Sequence, residues 1–213
     1  MGSVHLIRHG QASFGSDDYD QLSPVGMQQS TALGISWEAS GWAPSAAVAG
    51  SMKRHAQTAI AAIDACGQGD GYDIDDGWNE YDHLAIARAH DPAALTKDAK
   101  EFQRHLNAAL DGWIAGKGEH AETYEAFVDR VMTSFGKVAA DAGPGRSIAV
   151  FTSGGPIAMV ASHLLTGDAS AFQRINDVMI NAAVTTVIVG STGPRLLALN
   201  ESTHLPRDLI TYR

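Results

Sequence analysis

A chain of 213 residues that is 45% hydrophobic can bury one substantial core, and its length demands no second domain, so a single domain over residues 1–213 is expected. Fifteen Lys and Arg against 24 Asp and Glu give a net charge of −9, which argues against nucleic acids and anionic membranes as partners. The single Cys66 rules out an internal disulfide and a zinc ribbon; with no signal-peptide pattern at the start and no apolar run long enough to span a bilayer, a cytoplasmic protein is expected.

Val4, Leu6 and Ile7 read as a short buried strand that ends at Arg8-His9-Gly10. After a polar loop over 15–21, Ser23-Pro24 supplies an N-cap and a first-turn proline for a helix running to about Ser40. A strand near Ala46 to Ala49 and a helix from about Arg54 to Ala65 follow, and Gly67 to Gly71 breaks that helix. From Asp91 to Ala142 two or three helices are expected: Leu106, Leu110, Trp113 and Ile114 form one stripe, and Tyr124, Phe127, Val131 and Phe135 belong to another. Ser147 to Thr152 is a strongly apolar strand that stops at Ser153-Gly154-Gly155-Pro156, ahead of an apolar helix through Leu165. Ala183 to Val189 and Leu196 to Leu199 read as two last strands joined by a turn over Gly190 to Pro194. The alternation implies an α/β fold with a mostly parallel sheet covered on both faces and an antiparallel edge.

The chemistry gathers where two strands end in polar, glycine-containing turns. If those strands are neighbours, their carboxyl ends form a pocket suited to an anion, with an arginine fork and helix N–H groups as donors and His9 as a nucleophile usable at neutral pH. Nothing here resembles a metal site, since HExxH and His/Cys ligand spacings are missing. Gly112 to Gly118 imitates a P-loop with one residue too few and no Ser or Thr after Lys117. Phe151 to Gly155 lacks the first glycine of a nucleophile elbow, which leaves a serine hydrolase a distant third reading.

Leu6-Ile7-Arg8-His9-Gly10-Gln11 resembles the signature of the histidine phosphatase superfamily, the phosphoglycerate mutase-like proteins. Four further blocks follow in that family's order: Leu22 to Gln29, Ser51 to Ala59 with Arg54, Asn79-Glu80-Tyr81-Asp82, and Asn200 to Leu205. The resemblance implies a three-layer α/β/α sandwich with a helical insertion at about 80–140, and a metal-independent reaction that needs no cofactor. It implies that His9 takes the phosphoryl group while Arg8 and Arg54 hold its oxygens. Glu80 would protonate the leaving oxygen and then activate water, with Asp82 as the fallback. Gln11, Ser13, Ser153 and Gly154 complete the expected substrate-binding set.

The chain departs from the family at Ser153, where a second histidine ordinarily stands. A neutral hydroxyl replacing a charged donor costs about 1.5 to 3 kcal/mol, roughly ten- to a few-hundredfold in rate. His83 and His204 are the histidines to inspect as stand-ins, while His5, His55 and His163 read as solvated or core residues. Gly15 falls where mutases often carry an asparagine, and the elaborated mutase segment has no copy near His83 to His90, so hydrolase is favoured over mutase. A phosphomonoesterase is therefore expected, acting on a small phosphorylated substrate, with inorganic phosphate as the other small partner and oligomeric state unspecified. The alternative is a catalytically silent phospholigand-binding or scaffolding protein. For Ser153, helix capping competes with phosphate contact.

Overall fold

The computed structural model describes residues 1–13, 19–69, 71–93 and 99–212, and Gly15 lies outside them. The chain divides into two compact units, Met1–Glu80 with Val131–Arg213, and Tyr81–Arg130.

The first unit is built on a six-stranded sheet. Its strands are β1 (Gly2–Arg8), β2 (Ala46–Ala49), β3 (Asp73–Ile74), β4 (Ser147–Thr152), β5 (Val184–Gly190) and β6 (Gly193–Glu201), in the order β3-β2-β4-β1-β5-β6. The first four run parallel, and β5 and β6 add the antiparallel edge. The fold is therefore the expected α/β one, with a mostly parallel sheet.

β1 and β4 carry near-continuous apolar runs because both of their faces are covered. On one side Ile7, Ala49 and Phe151 pack with Leu33 and Trp37 of α1 (Pro24–Ser40) and Ala59, Ala62 and Ile63 of α2 (Lys53–Ala65). On the other, Leu6 and Val150 are fully buried, and α6 (Gly154–Thr166) packs against β1 and β6. A helix apolar on every side, as Ile157 to Ala161 is, must be buried all round. The short α7 (Phe172–Asn176) packs on α6.

The start of α1 is set locally: the Ser23 hydroxyl accepts from Gly26 N–H, with Pro24 in the first turn. A Cβ on Gly10 would lie 2.3 Å from the Gly26 carbonyl oxygen, so the exit of β1 and the first turn of α1 meet backbone to backbone.

The chain leaves β1 through α1 toward β2 and leaves β4 through α6 toward β5, in opposite directions across the sheet. A crevice opens at the carboxyl ends of neighbouring strands whose connections diverge in this way.

In the second unit, α3 (His83–His90), α4 (Ala99–Ile114) and the start of α5 (Tyr124–Asp141) surround Trp113. Its ring meets Tyr81, Tyr124 and Phe127 at centroid distances of 5.1, 5.2 and 5.6 Å, and its indole N–H donates to the Glu122 carbonyl at 2.9 Å.

Among the strands and α-helices, β3, α3 and α7 were not anticipated. β3 is two exposed residues with no apolar run to announce it. α3 starts before Asp91 because the Asp82 carboxylate accepts from Ala85 N–H and caps it.

Candidate functional site

His9 stands one residue beyond β1. Its N–H donates to the Thr152 carbonyl at 2.8 Å, which extends the β1–β4 ladder and makes His9 and Ser153 the next pair after Arg8 and Thr152. The following residue is tied to α2, since Gly10 N–H donates to Thr58 Oγ1 at 3.0 Å and that hydroxyl donates to the Arg54 carbonyl at 2.7 Å. One threonine thus fixes the turn after β1 against the first turn of α2, where Arg54 sits.

His9 is only 7% exposed. Its Nδ1 lies 2.7 Å from the Gly10 carbonyl oxygen, which can only accept, so the proton is on Nδ1 and Nε2 keeps its lone pair. Burial holds its pKa well below the ordinary histidine value, and the positive charges of Arg54 and Arg8 push it further down, with His55 adding to them. The imidazole is therefore uncharged at neutral pH, as a nitrogen nucleophile must be.

Arg54 is 5% exposed. Its Nη1 donates to Asp20 Oδ1 at 2.7 Å, while Asp20 Oδ2 accepts from Lys53 N–H at 2.9 Å, at the start of α2. Tyr19 lies beneath the guanidinium at 5.9 Å. Buried Nε of Arg54 has no hydrogen-bond partner among the described residues. A guanidinium beside helix N–H groups is a donor set for an oxyanion, and here a carboxylate engages it. Arg8 is held from distant parts of the chain: its Nη1 donates to the carbonyls of Met179 and, at 3.0 Å, Tyr212.

Glu80 comes to the same edge from the 3-10 turn Asp76–Trp78. The Thr152 hydroxyl at the end of β4 donates to the Trp78 carbonyl, and two residues later Glu80 Oε2 accepts from Gly155 N–H at 3.1 Å, at the start of α6. The carboxylate therefore contacts the residue that follows Ser153 and Gly154 in the chain. Gly154 itself is buried, and a Cβ there would lie 3.6 Å from Arg8 Nε.

Ser153 occupies the N-cap position of α6, but its side chain makes no capping hydrogen bond. Its Oγ lies 2.7 Å from Nε2 of His55, in the turn of α2 that carries Arg54. Both residues have no exposed surface, and the His55 and His9 ring centroids are 5.8 Å apart. Burial first, and Arg54 next, hold the His55 pKa well below the ordinary value. A Cβ on Gly50 would come within 2.4 Å of His55 Nδ1, so the end of β2 leaves room for this ring only because it is glycine.

His9, Arg8, Arg54, Glu80, Ser153 and Gly154 thus converge on the carboxyl edge of β1 and β4. Gln11 Oε1 accepts from the Ser23 hydroxyl at 2.9 Å, and Ser13 N–H donates to the Gln21 carbonyl at 2.8 Å. Asp82 caps α3.

His204 lines a groove with His5, Trp37 and Trp42, and His83 opens α3. The histidine beside Ser153 is His55, which the sequence pattern read as a solvated or core residue. Its signal was its position directly after Arg54, at the start of an amphipathic helix beside the site.

At the carboxyl edge of this mostly parallel α/β sheet, an uncharged histidine thus stands in the field of two arginines. Residues 4–202 match the family model of the histidine phosphatase superfamily (branch 1), and the chain belongs to that family. Among solved structures it is similar to a phosphoserine phosphatase variant from Entamoeba histolytica in complex with phosphoserine, at 15% identity and a TM-score of 0.69, covering 97% of this chain and 100% of that one. It is similar to a mycobacterial glucosyl-3-phosphoglycerate phosphatase in complex with inorganic phosphate, at 19% identity and a TM-score of 0.67, with coverage of 97% and 100%. A phosphoglycerate mutase from Bacillus anthracis matches at 16% identity and a TM-score of 0.65, with coverage of 95% and 94%. At these identities the likeness carries the fold. No curated protein sequence matches the chain. Among the described residues no helix is long and apolar enough to cross a membrane.

Proposed function

We propose that the chain is a phosphatase that hydrolyses a small phosphomonoester through a phosphohistidine on His9, and that it works as one functional domain. The observation that carries this reading is the state of His9: buried, uncharged, with Nδ1–H engaged by Gly10 and Nε2 left as a lone pair in the field of Arg54 and Arg8. Phosphoryl transfer asks the protein chiefly for position and charge stabilisation, and those residues supply both.

In this mechanism the Nε2 lone pair attacks phosphorus while the bond to the ester oxygen breaks. That oxygen takes a proton from the Glu80 carboxyl group. Water then attacks phosphorus and gives a proton to the Glu80 carboxylate while the P–N bond breaks and its electron pair returns to Nε2, so that inorganic phosphate and the starting imidazole are regenerated. Arg8 and Arg54 neutralise the three non-bridging oxygens in both steps, and the substrate phosphate replaces the Asp20 carboxylate on Arg54.

The second reading, a phospholigand-binding protein without turnover, draws on the Arg54–Asp20 pair at 2.7 Å and on the serine at position 153. The two separate in one assay. Incubation with p-nitrophenyl phosphate releases p-nitrophenol from the unaltered chain and not from His9→Ala if the chain is a phosphatase. Phosphate binding without release in either protein supports the silent reading.

A further inference from the structure

A buried polar pair calls for a role of its own. His55 and Ser153 are both fully buried, and they are joined by a 2.7 Å contact between Nε2 and Oγ. Neither side chain serves the local backbone: Ser153 does not cap α6, and His55 Nδ1 has no hydrogen-bond partner among the described residues. A buried polar atom left without a partner costs roughly 1 to 3 kcal/mol, so an apolar residue at position 55 would be the more stable choice for packing alone. Gly50, where a Cβ would collide with the ring, shows that β2 accommodates the imidazole.

The Nδ1 side of the ring faces Gly50, where an added Cβ would lie 2.4 Å from Nδ1 and 2.6 Å from Asn79 Oδ1, and Nδ1 makes no hydrogen bond to that oxygen or to any other described residue. A bare ring nitrogen tolerates a C–H neighbour, whereas an N–H there would be a stranded donor. The proton therefore belongs on Nε2, which donates it to Ser153 Oγ. A hydroxyl that accepts one hydrogen bond is polarised to donate a stronger one, and its own proton is free to turn away from His55. Ser153 and His9 directly follow the last register pair of β4 and β1, Thr152 and Arg8, and the His9 ring is 5.8 Å from that of His55.

We propose that His55 is a positioning residue for phosphoryl transfer: it donates from Nε2 to Ser153 Oγ and so aims the Ser153 hydroxyl proton at an oxygen of the phosphoryl group on its way to His9. No proton changes hands in this contact. The hydroxyl supplies one more donor to the transferring group, and the imidazole missing from position 153 contributes from position 55 instead. The inference rests on His9 being the nucleophile.

The test is a double-mutant cycle on p-nitrophenyl phosphate with His55→Ala, Ser153→Ala and the pair together, beside His9→Ala, with His55→Gln as a variant that keeps a donor near the Nε2 position. Each single substitution is expected to lower kcat about tenfold with KM changed less than about threefold. The double variant is expected to be no slower than either single, and His55→Gln to recover most of the loss. Nitrogen-15 NMR of the unaltered chain is expected to show the His55 proton on Nε2.

Additive losses in the cycle, an unchanged kcat in His55→Ala, or a His55 proton on Nδ1 would overturn the inference while His9-dependent turnover still stood. Turnover that survives His9→Ala, or no turnover at all, would overturn the phosphatase reading and this inference with it. Thermal melts of each variant identify a loss that comes from unfolding, in which case His55→Gln decides.

Discussion

The carboxyl edge of the parallel strands and the unit at 81–130 bury opposite kinds of side chain. At the strand edge His9, Arg54, His55 and Ser153 are nearly or wholly buried, each held by hydrogen bonds or ion pairs that reach far along the chain. In the 81–130 unit the buried centre is aromatic, with Trp113, Tyr81 and Phe127 in mutual ring contact within about fifty residues of sequence. Burial of polar and charged groups costs stability unless each is satisfied, whereas burial of rings is favourable by itself. The strand edge therefore buries groups that cost stability, where the 81–130 unit buries groups that add to it.

The sharpest way to break this contrast is His9→Ala. It is expected to remove p-nitrophenyl phosphate hydrolysis by about 1,000-fold or more while the thermal midpoint stays the same or rises, because a costly buried imidazole has gone. A marked drop in the midpoint would make His9 a packing residue instead.

Trp113→Ala reverses the pattern. Loss of a fully buried indole is expected to destabilise the chain by about 3 to 5 kcal/mol. Amide hydrogen exchange should localise the effect to residues 81–130, and uniform exchange across the sheet would blur the distinction between the units.

Arg54→Ala is expected to weaken binding of inorganic phosphate about ten- to 150-fold, measured by calorimetry, and Arg54→Lys to restore only part of it, since an ammonium cannot match the guanidinium fork. Equal affinity in all three proteins would remove Arg54 from the anion site.

The smallest effect is acid sensitivity. Burial lowers the pKa of His5 to about 4, and those of His9 and His55 lie well below 6.5 in the folded chain. Below pH 6.5 the unfolded chain takes up protons that these buried rings refuse. Their contribution is thus complete above pH 6.5 and declines as the pH falls, for His5 until about pH 4, where the folded ring titrates as well. Urea midpoints between pH 7 and 4 should fall accordingly, and His5→Gln should flatten the decline. A midpoint that rises on acidification would contradict the burial of these rings.

Most elements were legible because their signals are local. Ser23-Pro24 starts α1 as its cap chemistry predicts, and the apolar runs at 4–7 and 148–151 became the two central strands. β3 and α3 were missed for the same reason: a two-residue exposed strand carries no periodicity, and the cap of α3 lay inside a segment read for its acid motif. The candidate site was legible as a set of residue types, and the structure assembles Arg8, His9, Arg54, Glu80 and Ser153 at one edge. Gln11 and Ser13 also hold the turns that lead into α1, through Gln11 Oε1 and the Ser13 backbone N–H.

Sequence alone determined where β1 and β4 stop and which reactive side chains stand at their ends, since capping, turn chemistry and hydrophobic period act over a few residues. Tertiary structure decided what those side chains touch. Parallel pairing of β1 with β4 set Ser153 beside His9, packing of α2 on the sheet brought His55 onto Ser153, and folding back of residues 179 and 212 gave Arg8 its carbonyl partners. Contacts between positions as far apart as 55 and 153 or 8 and 212 depend on strand order, and no local pattern in the chain encodes that order.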